Sequence, residues 1–330
     1  KDAAGTQLPG PEDSVLVVGG GLAGLGAALA AARAGLRVRL VDAAPTRPGE
    51  ARAAAASVLP GAEVALPLEY GQKGIWSEYP NLLDLMDALV PDGRDGVLTR
   101  PTKSGFYSGR GLEVSAPVFG RLPRLPAPLG TLAYTSPLFQ KVPLLARLSA
   151  LPLVPRLLDA LAIEPGDEDT RGLDELPAEE LLLGSGVSME LYEAFLKPVL
   201  QALLFRPPKE LSAFVTLRVL WCYVLKTQES FDVRWFRGPL DELLLCPLVE
   251  EIERLGGSVE AGKRLADIEV DDKGRVEAVV LEGGATPERV PVGAVVLAAG
   301  VTGTRRTLES CGARVQARLG ELLAGLQRLQ

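Results

Sequence analysis

The first pattern along the chain is an apolar run broken by glycine. Residues 14–18 form a short apolar run, glycines follow at 19–21, and small apolar residues continue to position 32. A second apolar run covers residues 36–41 and ends at Asp42. A short uninterrupted run bounded by glycine predicts a buried strand, and a longer run of Ala and Leu predicts a helix. The pattern therefore predicts a strand–turn–helix–strand unit over residues 14–42. The glycine cluster also argues against a membrane span here.

Later stretches repeat the helical or strand periodicity. Apolar spacing predicts helices over residues 81–90, 189–204, 211–226 and 237–257, with Ser212 near the start of the third and glycine ending the fourth. Residues 102–111 favour hairpin strands, and residues 258–270 and 271–284 favour strands with a turn at Lys273-Gly274. Residues 293–300 predict a fully buried parallel strand.

Composition narrows the class of protein. The 330 residues are 47% hydrophobic and 23% charged, which is typical of a globular chain, and the net charge of −7 argues against nucleic-acid binding. The sequence has no histidine, which excludes Ser-His-Asp and Cys-His catalysis and His-ligated metal. Three widely separated cysteines without a C-x-x-C motif indicate reduced thiols, so we expect no metal site.

The glycine spacing assigns chemistry to the first unit. Gly19, Gly21 and Gly24 give the G-x-G-x-x-G pattern that binds a dinucleotide when it joins a strand to a helix. Gly19 would allow the tight turn, Gly21 would let the main chain approach the diphosphate, and Gly24 would let the helix lie close to the sheet. The helix N-terminus would supply N–H donors to the phosphates, and Asp42 would accept a hydrogen bond from the ribose. A tightly packed turn without a nucleotide is the alternative.

Four stretches resemble the FAD-dependent amine oxidase superfamily, within it the carotenoid (zeta-carotene/phytoene) desaturase and isomerase branch. They are residues 17–42, 69–86, 237–257 and 294–300, in the family's order. The resemblance implies an α/β fold: an FAD/NAD(P)-binding Rossmann-like doubly wound domain with a second, mostly helical or mixed substrate domain. We expect the FAD-binding domain to occupy residues 1–99 and 237–330, and the substrate and membrane-facing domain to occupy residues 100–236.

The resemblance implies FAD as cofactor and nominates site residues. The expected cofactor-binding residues are Gly19, Gly21, Leu22, Ala23, Gly24, Asp42, Ala43, Arg52, Leu265, Ala298, Ala299 and Gly300. Glu69, Trp76 and Tyr79 are substrate candidates, with a solvated loop carboxylate as the alternative for Glu69 and core packing as the alternative for the aromatics. No catalytic side chain is assigned, because an enzyme without histidine would leave the chemistry to its cofactor.

Two departures from the family pattern bear on the cofactor. Residues 48–52 hold one glycine where the family has a pair, and Glu50 would oppose Arg52. The family's C-terminal segment that closes over the flavin is not present in this sequence. These departures motivate a second hypothesis, a non-catalytic flavoprotein-like subunit or assembly factor of a photosynthetic membrane complex.

The first hypothesis is an FAD-dependent oxidoreductase that acts on a carotenoid-like apolar polyene by hydride transfer to the flavin. Such a substrate would leave a bilayer, and residues 137–163 are the candidate for peripheral membrane contact because Lys141, Arg147 and Arg156 interrupt an apolar stretch. A buried helix pair is the alternative there. We expect the protein in a chloroplast, in the stroma or at the thylakoid or envelope membrane.

Overall fold

The computed structural model describes residues 13–48, 73–109, 111–126, 129–139, 141–163 and 168–329. The chain divides into two compact units. Unit 1 holds residues 1–71, 85–97 and 236–330, and unit 2 holds residues 72–84 and 98–235. Within the described ranges, no helix has both the length and the apolar character needed to cross a membrane.

The described strands are β1 (Ser14–Val18), β2 (Arg37–Val41), β3 (Gly74–Trp76), β4 (Ser104–Ser108), β5 (Gly111–Ala116), β6 (Val233–Trp235), β7 (Ser258–Glu260), β8 (Arg264–Val270), β9 (Val276–Glu282), β10 (Glu288–Pro291) and β11 (Ala294–Leu297). The described α-helices are α1 (Leu22–Arg33), α2 (Pro80–Leu89), α3 (Gly93–Val97), α4 (Leu129–Thr135), α5 (Leu144–Leu148), α6 (Leu153–Ala162), α7 (Glu168–Glu175), α8 (Ala178–Gly184), α9 (Met189–Leu191), α10 (Lys197–Leu204), α11 (Ala213–Leu220), α12 (Cys246–Arg254), α13 (Gly300–Ser310), α14 (Ala313–Arg318) and α15 (Gly320–Arg328).

Unit 1 is built on a parallel sheet with the strand order β11-β1-β2-β7. β1 lies between β11 and β2 in this sheet: Val17 pairs with Leu40 on β2 and with Val296 on β11. β8, β9 and β10 form a separate antiparallel sheet whose buried residues share one core with β1 and β2. The α/β fold with a parallel sheet and a second unit confirms the predicted fold class.

Helix α1 follows the predicted periodicity. Its buried residues are Gly24, Leu25, Ala28, Leu29 and Ala32, which share one helical face. Small side chains on that face allow the helix to lie close to the strands that precede and follow it.

The strand predicted over residues 293–300 is present and parallel, but the prediction that it is fully buried is wrong. Residues 294–297 form a parallel strand, but β11 is the edge of the described sheet and its burial alternates, with Ala294 and Val296 exposed. In the described part of the chain this strand pairs with β1 alone, so only half of its side chains reach the core.

Unit 2 is mainly helical, with the two-stranded sheets β3–β6 and β4–β5. The predicted helices 189–204 and 211–226 are present, and each contains a π-helical turn, at Tyr192–Leu196 and Trp221–Leu225. The Ser212 hydroxyl caps the second by accepting the N–H of Val215 at 3.2 Å. The predicted hairpin is β4–β5, which pairs antiparallel.

Candidate functional site

At two positions of the β1–α1 unit, Gly19 and Gly24, any side chain would clash with the main chain, so only glycine fits. Gly19 has φ +111°, and a Cβ there would lie 2.5 Å from the carbonyl oxygen of Ala298. A Cβ at Gly24 would lie 1.8 Å from the carbonyl oxygen of Gly19. No side chain can occupy either space, so the turn folds tightly and α1 packs directly against it.

Gly21 differs from its two neighbours in the motif. It precedes α1 in an extended conformation, and a Cβ there would meet nothing within 4 Å. Gly21, Leu22 and Ala23 are exposed, and no side chain of the described residues caps the helix N-terminus. Exposed main-chain N–H groups beside open space fit a diphosphate, because an anion there would pair with otherwise unpartnered donors.

The carboxylate of Asp42 binds the same turn. Its Oδ2 accepts the N–H of Gly20 at 2.5 Å, and its Oδ1 accepts the N–H of Ala44 at 2.7 Å. Asp42 therefore fixes the turn after β1 to the chain after β2. Each oxygen retains a second lone pair, so the predicted bond to a ribose hydroxyl stays compatible with this arrangement. Ala43 is exposed beside it.

The end of β11 lies beside the end of β1. The N–H of Ala298 donates to the carbonyl of Val18 at 2.8 Å, and α13 begins at Gly300. The predicted residues Ala298, Ala299 and Gly300 are thus placed at the carboxyl edge of the parallel sheet, next to Gly19. Crevices at this edge of doubly wound sheets are where nucleotides bind.

Leu265 and Arg52 are the two remaining predicted cofactor residues. Leu265 lies on β8, and the whole residue is 1% exposed in the core that it shares with β1 and β2, so the structure does not present it to a ligand. Arg52, together with the substrate candidate Glu69 and most of the altered loop 48–52, lies outside the described residues. Their assignments remain predictions.

An ion cluster near β2 had no counterpart in the sequence analysis. The Arg39 guanidinium donates to both oxygens of Glu260 at 2.7 and 2.9 Å and to both oxygens of Glu288 at 2.7 and 3.1 Å. Lys263 adds a bond to Glu288 at 3.2 Å. These bonds, chiefly those from Arg39, lower the pKa of Glu288 to about 2. The sequence feature that could have indicated this cluster is Arg39 itself, because a charged residue between the buried Val38 and Leu40 of a strand needs partners.

Unit 2 contains an apolar cavity of about 590 Å³. Its lining is made mostly of Leu, Val, Ala and Phe, and five of the eight phenylalanines of the chain face it. Among the described lining residues, Arg147 is the one charged side chain, and two threonine hydroxyls add polarity. A space of this size and chemistry suits an apolar ligand.

Trp76 and Tyr79 do not belong to that lining. Their rings contact one another at 6.0 Å and both meet Tyr223 edge-on, at 5.8 and 6.2 Å, in a separate aromatic cluster of unit 2. The structure thus brings these two candidates together but away from the cavity walls. Their substrate role remains a prediction. No group of described residues has the composition of a metal site.

Comparison with known proteins agrees with this fold. The model of the FAD dependent oxidoreductase family matches residues 14–102, which include the β1–α1 turn. Carotenoid phi-ring synthase of Chlorobaculum tepidum is 28% identical over 284 residues, covering 86% of this chain and 41% of the relative. The 15-cis-phytoene desaturase of Arabidopsis thaliana is 26% identical over 280 residues, covering 83% of this chain and 46% of the relative. The chain therefore spans less than half the length of these relatives.

Solved structures share the fold at low identity. An oxidoreductase from Methanosarcina mazei has a TM-score of 0.59 at 12% identity and covers 94% of this chain and 65% of its own. A putrescine oxidase variant has a TM-score of 0.58 at 18% identity, and the match covers 86% of this chain and 57% of the oxidase chain. None of these findings favours the non-catalytic alternative. The chain is thus similar to FAD-dependent oxidoreductases and, in sequence, to carotenoid desaturases, and these likenesses support FAD as its cofactor.

Proposed function

We propose that this chain forms part of an FAD-dependent enzyme that oxidises an unsaturated isoprenoid chain of the carotenoid type. The apolar cavity of unit 2 is the observation that carries the proposal, because a hydrocarbon ligand needs a large space with few polar groups. The names of the two curated relatives support the same substrate class.

The residues of unit 1 would hold the cofactor. The main chain at Gly21–Ala23 would bind the diphosphate, and Asp42 would both fix the turn and accept a ribose hydroxyl. When bound, FAD would supply the hydride acceptor for removal of two hydrogens from the substrate. The chain itself would contribute binding, orientation and exclusion of water, which suits a sequence without histidine.

A visible absorption spectrum tests the cofactor. Purified protein should show flavin bands that bleach with dithionite. Gly21→Val should lose them, because the side chain would fill the open space before α1 while leaving the protein folded. Gly26→Val on the same helix is the matched control, since a Cβ there also meets nothing within 4 Å. Flavin retained in Gly21→Val, or absent from the folded wild type, would contradict the assignment.

The proposal includes contact with a membrane surface through residues 137–163. Leu144 and Leu145 are exposed on α5, with Leu145 82% exposed, and the exposed Leu148 and Leu151 that follow also line the cavity. Exposed leucines on consecutive turns are unusual on a water-facing surface and suit insertion into the interfacial layer of a bilayer. The opposite faces of the two helices are buried in the core of unit 2, through Ala146 on α5 and Leu153, Leu157 and Ala160 on α6.

A plastid location is also proposed. It is supported by the chloroplastic or chromoplastic phytoene desaturases among the relatives. Immunodetection in fractionated cells tests it: the protein should follow plastid membranes, and recovery in another fraction would contradict the proposal.

A further inference from the structure

The five phenylalanines of the cavity form one continuous chain of ring contacts. Phe139 meets Phe195 edge-on at 5.1 Å, and Phe195 meets Phe106 edge-on at 5.6 Å. Phe106 contacts Phe231 at 6.2 Å, and Phe231 meets Phe119 edge-on at 6.4 Å. We call these five residues the aromatic wall. Edge-on contacts fix the tilt of each ring relative to the next, so the wall presents a defined set of ring faces and edges to the cavity.

The five rings come from separate segments of unit 2. Phe106 is on β4 and Phe195 is in a π-helical turn, while the other three lie in short turns or connections. No single helix or strand can therefore set the geometry of the wall. Its two ends, Phe139 and Phe119, need anchors of their own.

Arg147 anchors the first end. Its Nε donates to the carbonyl of Val142 at 2.7 Å and a terminal nitrogen donates to the carbonyl of Phe139 at 2.8 Å. The guanidinium also lies 5.7 Å from the centre of the Phe139 ring, where a cation is attracted to the ring face. One side chain thus holds both the main chain and the ring of Phe139.

Asp232 anchors the second end. Its two carboxylate oxygens accept the N–H groups of Phe119 and Gly120, both at 2.8 Å. The amide of Gln228 donates to the carbonyl of Phe119 at 2.9 Å, so the main chain of Phe119 is held on both sides. A charged hydrogen bond of this kind is stronger than a neutral one and restricts the residue accordingly.

We propose that Arg147 and Asp232 are positioning residues that hold the two ends of the aromatic wall, and that the wall makes the cavity select unsaturated over saturated isoprenoid chains. Flat sp² carbons can pack against fixed ring faces and edges, whereas saturated chains gain only apolar contact. This inference rests on the proposed function, because it takes the cavity as the substrate site.

The cavity volume sets the length of the probe. At about 30 Å³ for each non-hydrogen atom, the space holds roughly 20 such atoms. Geranylgeraniol and phytanol have the same branched twenty-carbon skeleton and the same terminal hydroxyl, and only the first has double bonds. They form a matched pair in which the difference in affinity reports unsaturation alone.

The experiment measures displacement of diphenylhexatriene, an uncharged probe that fluoresces in apolar surroundings, from the full chain. For the wild type, geranylgeraniol should displace the probe at about a tenfold lower concentration than phytanol, the ratio expected from one to two aromatic contacts. Arg147→Met and Asp232→Asn should bring the ratio close to one, and the ratio is the readout because Arg147 itself lines the cavity and its loss affects both alcohols. Arg156→Met and Asp159→Asn, at exposed positions of α6 outside the lining, should keep the wild-type ratio.

A purely structural role would weaken both alcohols equally, so the ratio separates positioning from folding. Arg147→Lys keeps a cation over Phe139 and should recover part of the ratio. Phe195→Leu removes the ring between Phe139 and Phe106 without touching either anchor, and tests the wall if an anchor variant fails to fold. A wild-type ratio of one, or a full ratio in Phe195→Leu, would overturn this inference alone. Failure of the wild type to bind diphenylhexatriene would overturn the substrate assignment as well, independently of the flavin spectrum.

Discussion

The carbonyl oxygen of Gly19 fills the space that a side chain at Gly24 would need. With 1.8 Å between that oxygen and an ideal Cβ, neither backbone segment can move far without breaking the β1–α1 packing. The close approach is a property of the folded chain alone and does not depend on a ligand.

Gly24→Ala should therefore destabilise the protein before cofactor binding is considered. We expect a loss of about 1–3 kcal/mol in the free energy of unfolding, the usual range for forcing an atom into a packed site. Gly26→Ala is the matched control, because its Cβ is unobstructed and alanine favours a helix interior by about 1 kcal/mol over glycine. Urea unfolding should be followed by circular dichroism, since all three tryptophans, Trp76, Trp221 and Trp235, lie in unit 2. Equal stability of the two variants would contradict the packing argument.

Asp42→Asn should lower the stability of the apoprotein as well as its affinity for FAD. The amide offers one acceptor oxygen to the two N–H groups of Gly20 and Ala44, and its NH₂ would face the other donor. Leaving one donor unpaired costs about 1–3 kcal/mol. Asp272→Asn, at a side chain that is 95% exposed, is the control. Unchanged apoprotein stability with weaker FAD binding would instead assign Asp42 to the ribose alone.

Glu288→Gln should reduce stability at neutral pH, and the difference from wild type should shrink in acid. The Arg39 and Lys263 bonds place the folded-state pKa of Glu288 at about 2, below its ordinary value of 4.5. A depressed carboxyl pKa stabilises the fold above the ordinary value, and that contribution is lost as the pH falls from 4.5 towards 2. Because Glu288 is 42% exposed, solvent screening limits the effect to about 1 kcal/mol.

The measurement is the free energy of unfolding across that pH window, with Glu321→Gln on the exposed surface of α15 as the control. A wild-type advantage that stays constant through the window would show that the Glu288 carboxylate contributes through packing rather than through charge.

The sequence could predict the β1–α1 turn because its determinants are local. Gly19 and Gly24 are five positions apart in a regular strand–helix pattern, and the contact between them follows from that spacing. The edge position of β11 could not be predicted, because a strand of small apolar residues looks the same whether one neighbour or two flank it. The aromatic wall could not be predicted either, since Phe106 and Phe231 meet only in the folded unit.

Arg147 shows the limit most clearly. Along the chain it is one of three isolated cations in an apolar stretch, which fits a membrane-facing segment. In the structure its guanidinium is instead directed to the carbonyls of Phe139 and Val142. The charge pattern alone cannot distinguish a cation at the surface from one that holds main-chain carbonyls.

The membrane contact proposed for residues 137–163 can be tested without substrate. Leu145→Glu places a charge at the most exposed of the leucines on α5 and should lower binding to neutral phospholipid vesicles about tenfold or more in a sedimentation assay, because a buried leucine contributes about 1.5–3 kcal/mol and a carboxylate is costly to desolvate. Phe205→Glu is the control: Phe205 is 87% exposed but lies after α10, outside the segment. Equal vesicle binding by wild type and Leu145→Glu, or an equal loss in both variants, would contradict a contact through this segment.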